Sequence, residues 1–144
     1  MARRTAAGRR PGELTPGALV LDCQGLSLAV DDDPLVMARL EHAQTHGARA
    51  VVSTLTLIEA MNPQRSRPRW DFVISRLNVE EVTHHHTQHA VSLLRAAGLH
   101  GHKYAIDAVV AATAMAQPGP VRLLTSDVDD MAKLCDQRVL LVAV

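Results

Sequence analysis

Short apolar runs alternate along the chain with longer stretches in which apolar residues recur at helical spacing. "ALVLDC" (18–23) is apolar for four residues and then turns acidic, which predicts a buried strand with Asp22 at its carboxyl end. "RAVVST" (49–54), rich in β-branched residues, predicts a second strand. "VRLLTSD" (121–127) predicts another that again closes on an acid, and "RVLLVAV" (138–144) predicts the last. "VEEVT" (79–83) reads as a short edge strand.

The intervening stretches carry helix start and stop signals. "DDDPLVMARLEHAQTHG" (31–47) has acids first, Pro34 early and Gly47 at its close. "STLTLIEAMNP" (53–63) predicts a short helix capped by Ser53 or Thr54 and stopped at Asn62-Pro63. "QRSRPRW" (64–70) is a basic loop or helix entry that leads into a helical "DFVISRLN" (71–78). "HHHTQHAVSLLRAAGL" (84–99) places Ala90, Leu93, Leu94 and Ala97 on one face and ends at Gly98. "KYAIDAVVAATA" (103–114) is a helix almost wholly of Ala, Val and Ile, stopped by "QPGP", and "DVDDMAKLC" (127–135) opens a final helix with acids. Strands alternating with helices define an α/β fold with a mostly parallel sheet, and right-handed crossovers put helices on both faces. Ligands of such sheets bind at the carboxyl ends of the strands, which singles out Asp22 and Asp127.

Composition narrows the picture. Hydrophobic residues make up 47% of the 144, with only one Phe, one Tyr and one Trp, so the core is Ala, Val and Leu. That suits packed helices and parallel strands better than an aromatic-rich sandwich. Two cysteines are too few for a disulfide framework and fit a reduced, cytoplasmic protein. No apolar run approaches the roughly 18 residues of a membrane span. Residues 1–17, rich in Arg, Gly and Pro, read as a flexible basic tail before one domain over 18–144. Arg3, Arg4, Arg9 and Arg10 against Glu13 leave that tail at +3, so the remainder, with 11 basic and 14 acidic residues, stands at −3. A mildly acidic body argues against simple electrostatic capture of nucleic acid and leaves room for an acidic metal site.

Four acids share one oddity. Asp22, Glu59, Asp107 and Asp127 each sit inside, or at the polar end of, an otherwise apolar element. A charge buried alone costs several kcal/mol or surrenders its charge, and four carboxylates in one cleft repel unless cations neutralise them. Hard divalent ions such as Mg²⁺ or Mn²⁺ take oxygen ligands of this kind, and on a phosphate they support water attack. The residues therefore point to a metal-dependent phosphodiesterase. Each acid also has a plainer reading: Asp107 in the first turn of its helix, Asp22 and Asp127 as helix caps, Glu59 in solvent.

"LVLDC", "STLTLIEA", "YAIDAVVAATA" and "LLTSD", in this order and spacing, resemble a PIN domain of the kind found in the VapC-like toxins of bacterial toxin–antitoxin pairs. The likeness runs over nearly the whole chain from about residue 18. It implies a three-layer α/β/α sandwich and a cleft of acids holding Mg²⁺ or Mn²⁺. It also implies an endoribonuclease that leaves a 5′-phosphate and a 3′-hydroxyl, a cognate antitoxin laid into the acidic cleft, and a homodimer. By motif, Asp22, Glu59, Asp107 and Asp127 are the catalytic acids, with Asp22, Asp107 and Asp127 on the metal. Thr125 or Ser126 is the nearby hydroxyl. Asp129 and Asp130 lie next to the fourth position; the strand end favours Asp127, with Asp129 as a helper. The chain departs from the pattern at Cys23-Gln24-Gly25, where a Ser, Thr or Asn usually helps to line the site.

Other features leave two readings each. Arg65, Arg67 and Arg69 are either a phosphate-holding patch beside the cleft or a solvated loop. Lys103 or His102, close to a helix N-terminus, either meets a phosphate or faces solvent. His85 and His89 have a Zn²⁺-compatible spacing, but the run from His84 to His89 lacks a Cys or acid partner and reads as an exposed turn. Cys23 is either a reactive thiol or a small buried residue. The rival to the ribonuclease is a PIN-like module that binds RNA or protein without cleaving. A receiver domain would need paired acids after the first strand, and a dehalogenase-type phosphatase would need Asp-x-Asp where this chain has Asp22-Cys23-Gln24.

Overall fold

The computed structural model describes residues 16–144; of the tail expected over 1–17, residues 1–15 lie outside the described residues. Five strands form one sheet: β1 (Ala18–Leu21), β2 (Arg49–Ser53), β3 (Asn78–Glu80), β4 (Val121–Thr125) and β5 (Val139–Ala143). Their order is β3-β2-β1-β4-β5, and every neighbouring pair is parallel. The chain winds outward from β1 to β3, then returns to place β4 on the other side of β1. The reversal leaves a crevice at the carboxyl ends of β1 and β4, the place where such sheets bind ligands.

Seven helices cover the sheet: α1 (Cys23–Val30), α2 (Pro34–Thr45), α3 (Thr54–Ala60), α4 (Arg67–Ser75), α5 (His84–Ala97), α6 (Gly101–Met115) and α7 (Val128–Leu134). Because strand side chains alternate in direction, the core splits in two. Leu19, Leu21, Ala50, Val52 and Leu124 pack against α1, α2 and α4 on one face. Ala18, Val20, Val51, Val121 and Leu123 pack against α6 and α7 on the other. These are the three layers that the sequence pattern and the resemblance implied. No helix among the described residues is long and apolar enough to cross a membrane.

Local chemistry explains where the elements begin. Asp33 caps α2 through a 3.0 Å bond from Val36 N–H, with Pro34 in the first turn. Ser53 caps α3, accepting from Leu55 N–H at 3.3 Å. Ser66 caps α4, which therefore starts at Arg67 instead of residue 71; the basic stretch is the helix's first turn. The sequence pattern did not predict α1. "CQGLSLAV" is short, with apolar residues all round, and Gly25 gives no helix signal; it coils because Asp22 caps it through Gly25 N–H at 2.8 Å.

Candidate active site

The register aligns Leu21 of β1 with Val52 of β2 and Leu124 of β4, so the residues that follow these three strands emerge side by side. Asp22 follows β1, and its N–H donates to the Leu124 carbonyl at 3.1 Å. Its carboxylate is almost fully buried. Burial pushes its pKa above the usual range, while the Gly25 N–H, the Thr125 hydroxyl and the N–H groups of Ser126 and Gln24 favour its charged form. Those donors answer how the first acid is held despite Cys23-Gln24-Gly25. Gly25 has a further reason to be glycine, because a Cβ there would stand 3.2 Å from the Leu124 carbonyl oxygen. Cys23 is half-buried, and burial with the nearby Glu59 raises its thiol pKa, which disfavours the reactive thiolate.

Thr125 is fully buried at the end of β4. Its hydroxyl accepts from Asp127 N–H at 2.9 Å and serves the Asp22 carboxylate, so it ties the two strand-end acids together. Ser126 beside it is exposed. Asp127 takes the N-cap position of α7, yet its side chain makes no capping bond and is left to the cleft. Asp107 lies on α6. That helix begins at Gly101, two residues before the expected start, and breaks its regular angles at Tyr104 (φ −112°, ψ 15°), so Asp107 falls in the first turn beyond the kink.

Oxygens of Asp107, Asp127 and Asp130 lie within 4.8 Å of one another. Among the described residues, this is the one group of three such side chains close enough to share a metal ion. Burial, then the charges of Glu59, Asp127, Asp130 and Asp22, push the Asp107 pKa up to about 6. Four other carboxylates are thus within electrostatic reach of this one half-buried group. Glu59 stands at the exposed rim on α3, its pKa raised by burial and by Asp22. Asp130 differs from the rest: Lys133 Nζ sits 3.1 Å from its Oδ1 and lowers its pKa.

The structure thus gathers Asp107 and Asp127 with Asp130, and places Asp22 and Glu59 around them. Asp129, the expected helper, is exposed and outside that group. The signal for Asp130 was its spacing: residues three apart on a helix share a face, and Asp127 and Asp130 flank the first turn of α7. Lys103 comes within electrostatic reach of Asp130, with its Nζ 4.9 Å from the Tyr104 ring centroid. Arg65, just before α4, and Arg67 and Arg69 in its first turn find partners nearby. Arg65 pairs with Asp31 at 2.9 Å, Arg67 with Asp71 at 3.5 Å, and Arg69 with Asp32 at 3.3 Å. In the histidine run, His84 and His85 are exposed, while His86 completes the α5 cap with Thr83.

A metal implied for such a cleft is tested by its donor set. Three carboxylates that crowd one point, one of them half-buried and without a hydrogen-bond donor among the described residues, fit a hard divalent cation.

Fold and cleft together define an α/β protein of PIN type with an acidic crevice at the topological switch point. No protein-family model and no curated protein matches the chain. Solved structures do match it. One is a chain of VapBC2 from Rickettsia felis, in a crystal structure of that complex bound to a DNA fragment from their promoter. The two chains share 16% identity and superpose with a TM-score of 0.65 over 88% of this chain and 98% of the other. At that identity the likeness is one of fold, and the shared fold is that of a VapC PIN domain.

Proposed function

We propose that the protein is a Mg²⁺- or Mn²⁺-dependent endoribonuclease, the toxin of a toxin–antitoxin pair, working in the cytoplasm. The observation that carries this reading is the meeting of Asp107, Asp127 and Asp130 within 4.8 Å, with Asp22 and Glu59 in electrostatic reach of Asp107. Asp107, Asp127 and Asp130 would hold the ion, and Asp22 would add fixed negative charge behind them. When bound, a divalent ion supplies positive charge to the phosphodiester and a more acidic water as nucleophile. Glu59, exposed with a pKa raised by burial and by Asp22, would serve as the general base of the reaction. Ser126, exposed next to Thr125, and Lys103, within electrostatic reach of Asp130, would meet the phosphate. Arg65, within electrostatic reach of Cys23, and Arg67 two residues on would extend the RNA path along one edge.

The likeness to one chain of a VapBC complex supports an antitoxin partner. Ile58 and Met61, 74% and 63% exposed beside Glu59, form an apolar rim that an antitoxin or a second copy would cover. The test is cleavage of an RNA pool by the purified protein with Mg²⁺ or Mn²⁺, against Asp107→Asn and an EDTA control. The variant keeps the shape and removes one charge. We expect chelation to abolish cleavage and the variant to lose more than the roughly 10–100-fold typical of a group one shell out from a metal. Cleavage that survives both would overturn the reading. A PIN-like module that binds without cleaving is the second reading, favoured by Lys133, which already neutralises Asp130. It predicts Mn²⁺ binding by calorimetry with no cleavage of any RNA.

A further inference from the structure

The amino-terminal end of the sheet holds a cavity of about 580 Å³, at the opposite ends of the strands from the carboxylates. It lies between α2 and the first residues of β1 and β4. Leu35, Arg39 and His42 line it from α2 and His46 from that helix's C-cap, at the three- and four-residue steps that share one helix face. Arg122 of β4, paired in register with Leu19 of β1, lines it from the sheet. On this face of the sheet Arg122 is exposed, and so is Leu140 beside it on β5.

The charge of this cavity is one-sided. Among the described residues that line it are two guanidinium groups and two imidazoles, and no Asp or Glu. Arg39 Nε is shut off from solvent and, among the described residues, meets no acceptor. The ion pairs formed by the described residues include neither Arg39 nor Arg122. A buried donor without an acceptor costs free energy that a bound acceptor would recover. His46 Nδ1 donates to the His42 carbonyl at 2.8 Å, and the two ring centroids lie 4.1 Å apart with the planes tilted by 32°, which gives the cavity an imidazole wall.

We infer that this cavity binds a phosphate monoester carried on an aromatic or apolar body: a 5′-mononucleotide or the phosphorylated end of a nucleic-acid strand. Guanidinium forks match the oxygens of a phosphate in a way that point charges do not. Leu19, Leu35 and the imidazole wall offer contact to the body, and the volume lies within the roughly 300–1,000 Å³ of small-ligand sites. The inference is independent of the nuclease reading, since it uses other residues at the other end of the sheet.

The test is calorimetric titration of the full-length protein in EDTA, so that no divalent ion brings a phosphate to the carboxylates. The probes are adenosine 5′-monophosphate, adenosine, and a DNA tetranucleotide with and without a 5′-phosphate. Adenosine monophosphate binds and adenosine does not. Arg122→Gln, an exposed change, weakens binding about tenfold, the size of one lost charge-assisted hydrogen bond. Arg39→Gln does the same or more, and Asp107→Asn leaves binding intact. A phosphorylated tetranucleotide that binds as the mononucleotide does assigns the site to strand ends; a mononucleotide that binds alone assigns it to free nucleotides. Equal binding of adenosine and its monophosphate, no binding at all, or binding untouched by both arginine variants would overturn the inference.

Discussion

The same two strands end in opposite chemistry. Beyond the carboxyl ends of β1 and β4, four carboxylates crowd around Asp107; at their amino-terminal ends, Arg39 and Arg122 face a cavity that no acid among the described residues lines. The arginines at the start of α4 and just before it offer the control. Arg65, Arg67 and Arg69 were the conspicuous cations of the sequence, and each has an acidic partner in the fold. A charge near the interior is costly unless something pairs with it. Arg39 and Arg122 at one end, and Asp107 and Asp127 at the other, have no ion-pair partner among the described residues, which marks the two ends as places for an anion and a cation that the described chain does not supply.

The largest effect should separate the two ends by pH. The Asp107 pKa rises from 3.8 to about 6 in the folded chain. Between those values the folded protein keeps a proton that the unfolded chain has lost, so the native state binds more protons. Stability of the metal-free protein therefore falls as pH rises from about 4 to about 6 and then levels. Solvent screening of a half-buried group reduces the swing to about 1–2 kcal/mol. Asp22 and Glu59, both raised, push the same way. Urea unfolding in EDTA across this range should show the slope, and Asp107→Asn should flatten it. Mn²⁺ should restore stability at pH 7, because a cation binds the charged form. Arg39→Gln and Arg122→Gln should leave the slope in place; a slope indifferent to Asp107→Asn would break the contrast.

Next in size is the paired arginine. Arg69 Nη2 donates to the Ala29 carbonyl at 2.9 Å and its Nε to the Val30 carbonyl at 3.4 Å, which serves the open C-terminal turn of α1. Arg69→Ala should cost about 1–2 kcal/mol of stability, read by urea unfolding, and leave mononucleotide binding unchanged. Arg67→Ala, breaking a pair 88% and 62% exposed, should cost almost nothing. If Arg69→Ala weakened anion binding while stability held, Arg69 would join Arg39 and Arg122 among the functional cations.

Much of this was legible in the sequence, and for physical reasons. A parallel strand buried on both faces reads as an apolar run, so an acid at its end stands out, and Asp22 and Asp127 could be placed at the carboxyl edge without coordinates. Asp107 stood out for the same reason within an Ala-Val helix. What stayed hidden depended on pairing and local geometry. Asp130 needed the start of α7 to be known to within a residue, because only the three-residue step turns it toward Asp127 while Asp129 points away. The helix α1 lacks a polar face, so its periodicity gives no signal. Arg39 and Arg122 look like any surface arginine in the sequence; that no acid among the described residues meets them is visible only in the fold.

The smallest effect sharpens the comparison at a single pair. Asp130 is the member of the carboxylate group with its own cation, Lys133 at 3.1 Å, so the acidic end is partly self-neutralised where the cationic end is not. A divalent ion that draws on Asp130 must compete with that ammonium group. Lys133→Gln should therefore tighten Mn²⁺ binding a few-fold, measured by calorimetry at low salt, and leave mononucleotide affinity alone. The gain should fade as salt rises, since an exposed pair is screened within about 10 Å at 0.1 M. Weaker Mn²⁺ binding in the variant would reverse the role: Lys133 would then be orienting Asp130 toward the ion, and the asymmetry between the two ends would lie in geometry instead of in charge.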